Sequence, residues 1–265
     1  MIQSLPKFSS PPLVETVLGI EFEPIVEFEI PHFGLFWNTI RDEYPKSLVQ
    51  PPVQSRIETF RGHNVPLNLF FSQTPEVRCW FLDINEDWLL QVQKNQFLSN
   101  WRVSGNSKTL YPHYEKVSDH FFRGWKRFTA FLDSENFELP QILQCEVSYI
   151  NHIDVEPHFA NLHTVFPSLA NIKANSFLDS PETATFSFVY VIPENRGRLY
   201  LNMQHVLRHT DLKEVFQLKL TAKVLLSSSN EGDISEALNL GREWAVKGFA
   251  DFTSAEMHQI WERRE

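Results

Sequence analysis

Two pairs of polar residues have the types and spacing that could carry acid–base or metal chemistry. His152 and Asp154 are two residues apart, so on a strand they share one face and could act together in a hydrolase or nuclease. A hydrogen-bonded structural histidine is the simpler interpretation of His152. His205 and His209 have the spacing of metal ligands on a helix, but their surroundings predict a strand, which argues against a metal site.

The sequence contains none of the short motifs that hold nucleotides, activate a serine or bind zinc. GxGxxG, GxxxxGK[ST], GxSxG and HExxH do not occur, and the chain has nine glycines in 265 residues. Its two cysteines, Cys79 and Cys145, form no metal-ligand spacing and are interpreted as buried thiols. We therefore expect no cofactor, and a binding protein rather than an enzyme.

Amide and basic side chains recur on one face of three predicted strands. Alternation along Leu90–Asn95, Arg198–Gln204 and Val215–Val224 separates them from the apolar residues. The set is Gln91, Gln93, Asn95, Arg198, Asn202, Gln204, Gln217, Lys219, Thr221 and Lys223. Such side chains contact base edges and phosphates, and they are also ordinary solvent-facing residues of an antiparallel sheet. They predict a locally basic surface that binds a protein or a nucleic acid.

The elements that would position these residues are short strands and amphipathic helices. Strand patterns occur at Val14–Glu23, Ser55–Phe60, Leu67–Ser72, Val77–Ile84, Trp88–Phe97, Leu143–Val155, Thr183–Ile192, Arg198–Leu207 and Val215–Leu226. Helical periodicity occurs between Pro31 and Pro45 and at Tyr111–Asp133, Asn161–Asn171, Ile234–Phe249 and Ser254–Arg264.

The two halves of the chain resemble each other. VETVLGIEFEP at 14–24 and VSYINHIDVEP at 147–157 share Val, Ile, Glu and Pro at equivalent positions. Each half runs strand, helix, strand meander, long helix. We therefore predict an α+β fold with an arm at 1–13 and two duplicated halves, 14–140 and 141–265, packed as one unit. Helices would back one face of an antiparallel sheet and leave the other open, in an element order that resembles the saddle of TATA-binding-protein-like folds.

The charge and hydropathy of the chain limit its partners. The net charge of −9 opposes non-specific attraction to nucleic acid and to anionic membranes. No apolar run approaches the length of a membrane span, and the first residues lack a signal-peptide pattern. We expect a cytoplasmic protein with a protein partner, keeping nucleic acid as an alternative. A homo-oligomer joined through Trp244, Met257, Ile260 and Trp261 is a further hypothesis.

Five segments of the chain carry a resemblance to a known family. They are LPKFSSPPLVETVLGIEFEP, HFGLFWNTIRDEYP, QFLSNWR, VSYINHI and LGREWAVKGFADFTSAEMHQIWERR, which together span nearly the whole chain. In this order they resemble a family of uncharacterised bacterial proteins that is noted for its sporadic distribution. The family offers no activity or site to transfer. Its patchy distribution implies mobile genes, such as the paired genes of defence or toxin–antitoxin systems.

Overall fold

The secondary structure is taken from a computed structural model that describes residues 4–53, 57–60, 77–104, 110–154, 162–169, 183–208, 211–226, 228 and 230–264. The strands in these ranges are β1 (Lys7–Phe8), β2 (Leu13–Phe22), β3 (Lys46–Gln50), β4 (Arg78–Leu82), β5 (Trp88–Gln93), β6 (Gln96–Arg102), β7 (Ile142–Ile153), β8 (Thr185–Ile192), β9 (Gly197–Leu207), β10 (Glu214–Leu225) and β11 (Arg263–Arg264). The helices are α1 (Ile30–Ile40), α2 (Tyr114–Ser134), α3 (Leu162–Val165), α4 (Glu231–Phe252) and α5 (Ala255–Ile260). The predicted α+β class is confirmed.

Most of these strands form one antiparallel sheet. Its order is β3-β4-β5-β6-β2-β7-β10-β9-β8. The first strands of the two halves, β2 and β7, are neighbours at the centre, and each pairs on its other side with the last strand that its own half contributes to this sheet, β6 or β10. The halves therefore share one continuous sheet. The duplication and the saddle shape stay predictions.

The long helices cover one face of the sheet. Helix α2 packs on β2 and β6, and α4 packs on β7 and β10. The apolar side of α2 explains this packing: Val117, Phe121 and Phe128 are buried, and the ring of Phe128 stacks on that of Phe97 with centroids 5.6 Å apart. Aromatic rings fill this layer and fix the helices on the strands.

The N-terminal arm docks against the end of the chain. Strands β1 and β11 pair, and the Ser9 N–H donates to the Glu262 carbonyl over 3.2 Å. The ring of Phe8 lies edge-on to that of Trp261, with centroids 6.3 Å apart. Met257 and Trp261 are buried within the chain, so an oligomer contact through these two residues is wrong; of the other residues named for that contact, Ile260 is exposed and Trp244 is half-buried.

Three predicted elements differ from those observed. The run Trp88–Phe97 is a hairpin, β5 and β6, with its turn at Lys94 and Asn95. Residues 57–60 form no strand, whereas β3 was not predicted. The helix pattern at Asn161–Asn171 contains α3 and then a 3-10 turn at Pro167–Leu169, because proline cannot continue an α-helix. The strand pattern Leu67–Ser72 lies outside the described residues.

Candidate binding face

Except for Asn95, the predicted amide and basic residues lie on the face of the sheet away from α2 and α4, which we call the helix-free face. Strand register places Lys223 opposite Arg198, Lys219 opposite Asn202, and Gln217 opposite Gln204. Thr221 lies between them on β10, and Gln91 and Gln93 share this face on β5. Asn95 does not belong to it, because it lies in the β5–β6 turn, where its side chain accepts a hydrogen bond from Gln93 over 2.9 Å.

Acidic residues of the central strands neutralise part of this face. The Lys223 ammonium lies 2.6 Å from a carboxylate oxygen of Glu21 on β2 and 3.8 Å from one of Glu146 on β7. The expectation of a locally basic surface is therefore wrong at Lys223. That expectation was based on three predicted strands, whereas Glu21 and Glu146 belong to two other strands of the sheet, β2 and β7.

Val53 and Glu58, which follow β3 in the chain, lie on the helix-free face. The backbone of Val53 exchanges two hydrogen bonds with the Gln93 side chain, of 2.9 and 3.0 Å. Further along, the Glu58 N–H donates to the Gln144 side chain over 3.0 Å, and the Glu58 carboxylate is ion-paired with Arg198. The face predicted to be open is therefore partly covered by the chain itself.

A buried polar network joins these residues at the centre of the sheet. The Gln144 amide donates to Glu21 over 2.7 Å, next to the ammonium of Lys223. Both Glu21 and Gln144 have no exposed surface. The Tyr200 hydroxyl donates to Glu58, which binds Gln144 through its backbone. Because buried charges must be paired and hydrogen-bonded, the network is itself a sufficient reason for these residue types.

The part of the face formed by β8, β9 and β10 is more accessible. Lys219 and Asn202 are half-buried, and Gln204 is exposed. Asn202 accepts a hydrogen bond from the Ser187 hydroxyl over 2.8 Å. No ion pair holds Lys219 among the described residues. Of the residues predicted to bind a partner, those in this region are accessible to one.

The described histidines of the two hypotheses, His152 and His205, lie on opposite faces of the sheet. His152 lies on the helix-free face, with its imidazole 3.2 Å from the Gln217 side chain, whereas Asp154 accepts from Arg208 over 2.6 Å. Each is thus held by a different partner. His205 lies on the helix side, with its ring centroid 5.5 Å from that of Phe216, and His209 lies outside the described residues. The residues described contain no group of three metal-ligating side chains.

A buried histidine that the sequence did not single out, His120, lies on the side of α2 that faces the sheet. The His120 ring is 2.7 Å from the Tyr44 hydroxyl and 2.8 Å from the Ser99 hydroxyl, and stacks on Trp88 with centroids 4.1 Å apart. Burial lowers the pKa of His120 to about 3, helped by Arg123. Ser99 is fully buried, so this serine–histidine contact ties helix to sheet rather than serving as a nucleophile. Nothing in the sequence indicates that Tyr44, Ser99 and His120, which are far apart along the chain, contact each other.

The outer strand β8 is an unusual edge. Its eight residues, TFSFVYVI, contain no charge, and it pairs with β9 only among the described strands. Val189 and Val191 are each 51% exposed, and Tyr190 is 44% exposed. An edge strand presents unpaired backbone N–H and C=O groups, and proteins commonly protect such edges with charge, proline or short length. β8 has none of these protections.

A groove lies beside this edge on the helix side of the sheet. It has a volume of 730 Å³ and is lined by Tyr190 of β8, Leu199 of β9 and Trp244 of α4. Lys247 and Glu243 of α4 border it and form an ion pair. The edge and the groove together offer backbone groups and an apolar recess to a neighbouring chain.

Comparisons with protein-family models, with curated proteins and with solved structures gave no match to this chain. Within the described residues, none of the helices combines the length and the apolar character that crossing a membrane requires.

Proposed function

We propose that the protein is a non-catalytic binding module whose partner is another protein, and that the partner adds a strand to β8. The observation that carries the proposal is the eight-residue uncharged edge, with Val189, Tyr190 and Val191 exposed in a chain of net charge −9. In such complexes main-chain hydrogen bonds supply affinity, and recesses for alternate side chains supply specificity. The groove at Tyr190 and Trp244 is a suitable recess.

The opposite edge of the sheet supports this choice by contrast. Strand β3 has five residues, begins with Lys46 and is followed by Pro51 and Pro52. Short length, lysine and proline are the features that keep an edge from pairing. Leu48 and Val49 are exposed there as well, so exposure alone does not distinguish the two edges. The partner is therefore assigned to β8.

The chemistry of the helix-free face favours a protein over a nucleic acid. Lys223 and Arg198 are engaged with Glu21 and Glu58, so they are not available to neutralise phosphates. Lys219 is the remaining cation of the predicted set. A nucleic acid partner would need more free positive charge than this.

The partner's own chemistry follows from the edge. It is an extended segment with alternating apolar side chains, of which one enters the groove beside Tyr190. We also propose that the chain belongs to the sporadically distributed bacterial family that it resembles, and that the partner is encoded by a neighbouring gene of a mobile pair. The five segments quoted above support this part of the proposal.

The experiment compares two lysine substitutions of exposed valines, Val189→Lys on β8 and Val49→Lys on β3. Each tagged protein is used to capture partners from a lysate of its native cells, and captured proteins and nucleic acids are both identified. We expect the wild type and Val49→Lys to retain one protein, and Val189→Lys to lose about tenfold or more of it. Adding the purified partner should then slow amide hydrogen exchange at residues 185–191.

Three outcomes would contradict the proposal. The first is a partner that Val189→Lys retains in full. The second is nucleic acid that is lost at high salt and with Lys219→Ala, which would move the function to the helix-free face. The third is self-association of the purified protein that Val189→Lys abolishes, because the strand partner would then be a second copy.

A further inference from the structure

A cavity lies on the helix side of the sheet, under the N-terminal arm. It has a volume of 550 Å³ and is enclosed by residues 5–13, the beginning of α2, the middle of α4 and strand β7. This volume is in the range of sites that hold small molecules. It lies between the two long helices, away from the β8 edge, and shares Pro6 of the arm with the groove beside that edge.

The walls of the cavity are largely apolar. Phe8 and Leu13 line it from the arm side, and Val246 and Phe249 line it from α4. The arm wall is fixed by the pairing of β1 with β11 and by the Phe8 ring, whose centroid is 5.5 Å from that of Phe249. A ligand here would bury a hydrocarbon or aromatic body against these side chains.

One end of the cavity is polar and carries buried hydroxyl groups. Tyr111, Tyr114 and Tyr149 line it, and the hydroxyls of Tyr111 and Tyr149 are hydrogen-bonded to each other. Burial raises the pKa of all three tyrosines, so they keep their protons at neutral pH. Because one hydroxyl of the Tyr111–Tyr149 pair donates to the other, the pair has one proton left to donate to a ligand. Hydroxyl donors in an apolar cavity are suited to an oxyanion.

A cation stands at the same end. The Arg242 guanidinium lies over the Tyr114 ring, 4.2 Å from its centroid, and is 27% exposed. Its acidic neighbour Glu115 is 3.5 Å away and its side chain is 72% exposed, so this ion pair is weak. The guanidinium therefore retains the capacity to bind a carboxylate in the cavity.

The beginning of α2 adds to the attraction for an anion. His113, at the N-cap, makes no side-chain cap hydrogen bond, and it lines the cavity together with Tyr114. The first N–H groups of a helix carry partial positive charge and favour a nearby anion. The helix end, the arginine and the tyrosines all lie around one space.

From this arrangement we infer that the cavity binds a small organic monocarboxylate with an apolar body, such as a medium-chain fatty acid. The carboxylate contacts Arg242 and the hydroxyls of Tyr111 and Tyr149, and the hydrocarbon lies against Phe8 and Phe249. A single inner cation matches a singly charged head group; Lys7 and Arg264, also at the cavity, are exposed to solvent.

The test uses decanoate and decanol as probes, because they share a chain and differ in the head group. Calorimetric titration of the full-length protein should show saturable one-to-one binding of decanoate, and decanol should bind about tenfold more weakly. Arg242→Gln should weaken decanoate binding about tenfold and leave decanol binding unchanged. Lys126→Gln, which removes a charge from the exposed side of α2 outside the cavity, is the control and should bind as the wild type does.

A second variant keeps the inference testable if Arg242→Gln does not fold. Tyr149→Phe removes one hydroxyl and keeps the ring, so it should lower the affinity for decanoate several-fold and not that for decanol. The inference is overturned if decanoate does not bind, if decanol binds equally well, or if neither Arg242→Gln nor Tyr149→Phe affects decanoate binding. Tighter binding of decyl phosphate would overturn the carboxylate assignment.

Discussion

Glu21 and Lys223 show how single residues on the helix-free face are tied to its stability. Glu21 has no exposed surface and its carboxylate is 2.6 Å from the Lys223 ammonium. Taking both charges out of water costs free energy that their attraction and the Gln144 hydrogen bond must offset. The first role of Glu21 and Lys223 is therefore to neutralise each other's charge inside the protein.

We expect Lys223→Met to lower the free energy of unfolding by about 3 kcal/mol or more, because it removes the ammonium that lies 2.6 Å from the buried Glu21 carboxylate. The double variant Glu21→Gln/Lys223→Met should cost less than Lys223→Met alone. Urea denaturation of the two single variants and the double variant measures the coupling.

Lys219→Met is the matched control for this pair. Lys219 is on the same strand and face, with no ion pair among the described residues, and its loss should change stability by only about 0.5 kcal/mol. Equal effects of the Lys219 and Lys223 substitutions would contradict the network.

His120 predicts a pH dependence of stability. Burial lowers its pKa to about 3 in the folded protein, whereas an unfolded histidine titrates near 6.5. As pH falls from 6.5 towards 3, the unfolded chain binds a proton that the folded chain does not. Stability therefore falls with decreasing pH in this window, by about 2 kcal/mol between pH 7 and pH 5.

The variant His120→Gln should remove this part of the slope, whatever it costs at neutral pH. Comparing the free energy of unfolding of both proteins at several pH values between 7 and 5 isolates the contribution. Parallel pH profiles would show that His120 does not keep a depressed pKa.

At the scale of elements, the β8–β9 hairpin depends on one glycine. Gly197 has a φ of 156°, and a Cβ atom there would lie 2.0 Å from the Lys223 carbonyl oxygen. We expect Gly197→Ala to destabilise the protein by about 2 kcal/mol or more, since both the backbone angle and the space exclude a side chain. Thermal unfolding would measure the change.

Gly34 provides the comparison. It lies in α1, where an added Cβ meets nothing within 4 Å, and alanine is the better helix former. Gly34→Ala should therefore stabilise the protein by up to about 1 kcal/mol. A loss of stability there as large as that of Gly197→Ala would show that local geometry does not set these effects.

The strand faces could be predicted because alternation is a local property. The apolar and polar residues of β9 and β10 separate as expected, which placed Lys219 and Asn202 correctly. The β5–β6 hairpin was missed because its turn, at Lys94 and Asn95, has neither glycine nor proline. The surroundings of His120 could not be predicted, since Tyr44 and Ser99 reach it only through the tertiary fold.

At the scale of the whole molecule, the two proposed binding regions lie at different places along the sheet. The uncharged edge β8 lies at its periphery, whereas the cavity lined by Tyr149 lies near the centre, between the long helices. Among the described lining residues, the groove and the cavity share Pro6, so the proposed protein partner and the inferred carboxylate contact otherwise different residues. Binding of each should be measurable in the presence of the other.

The pairing of β1 with β11 has a consequence for the order of events during synthesis. Lys7 emerges from the ribosome early, but its partner Arg264 follows every other described strand. Strand β1 of the arm therefore stays unpaired until β11 has been synthesised. The cavity that it lines is therefore complete only after β11 has been made and has paired with the arm.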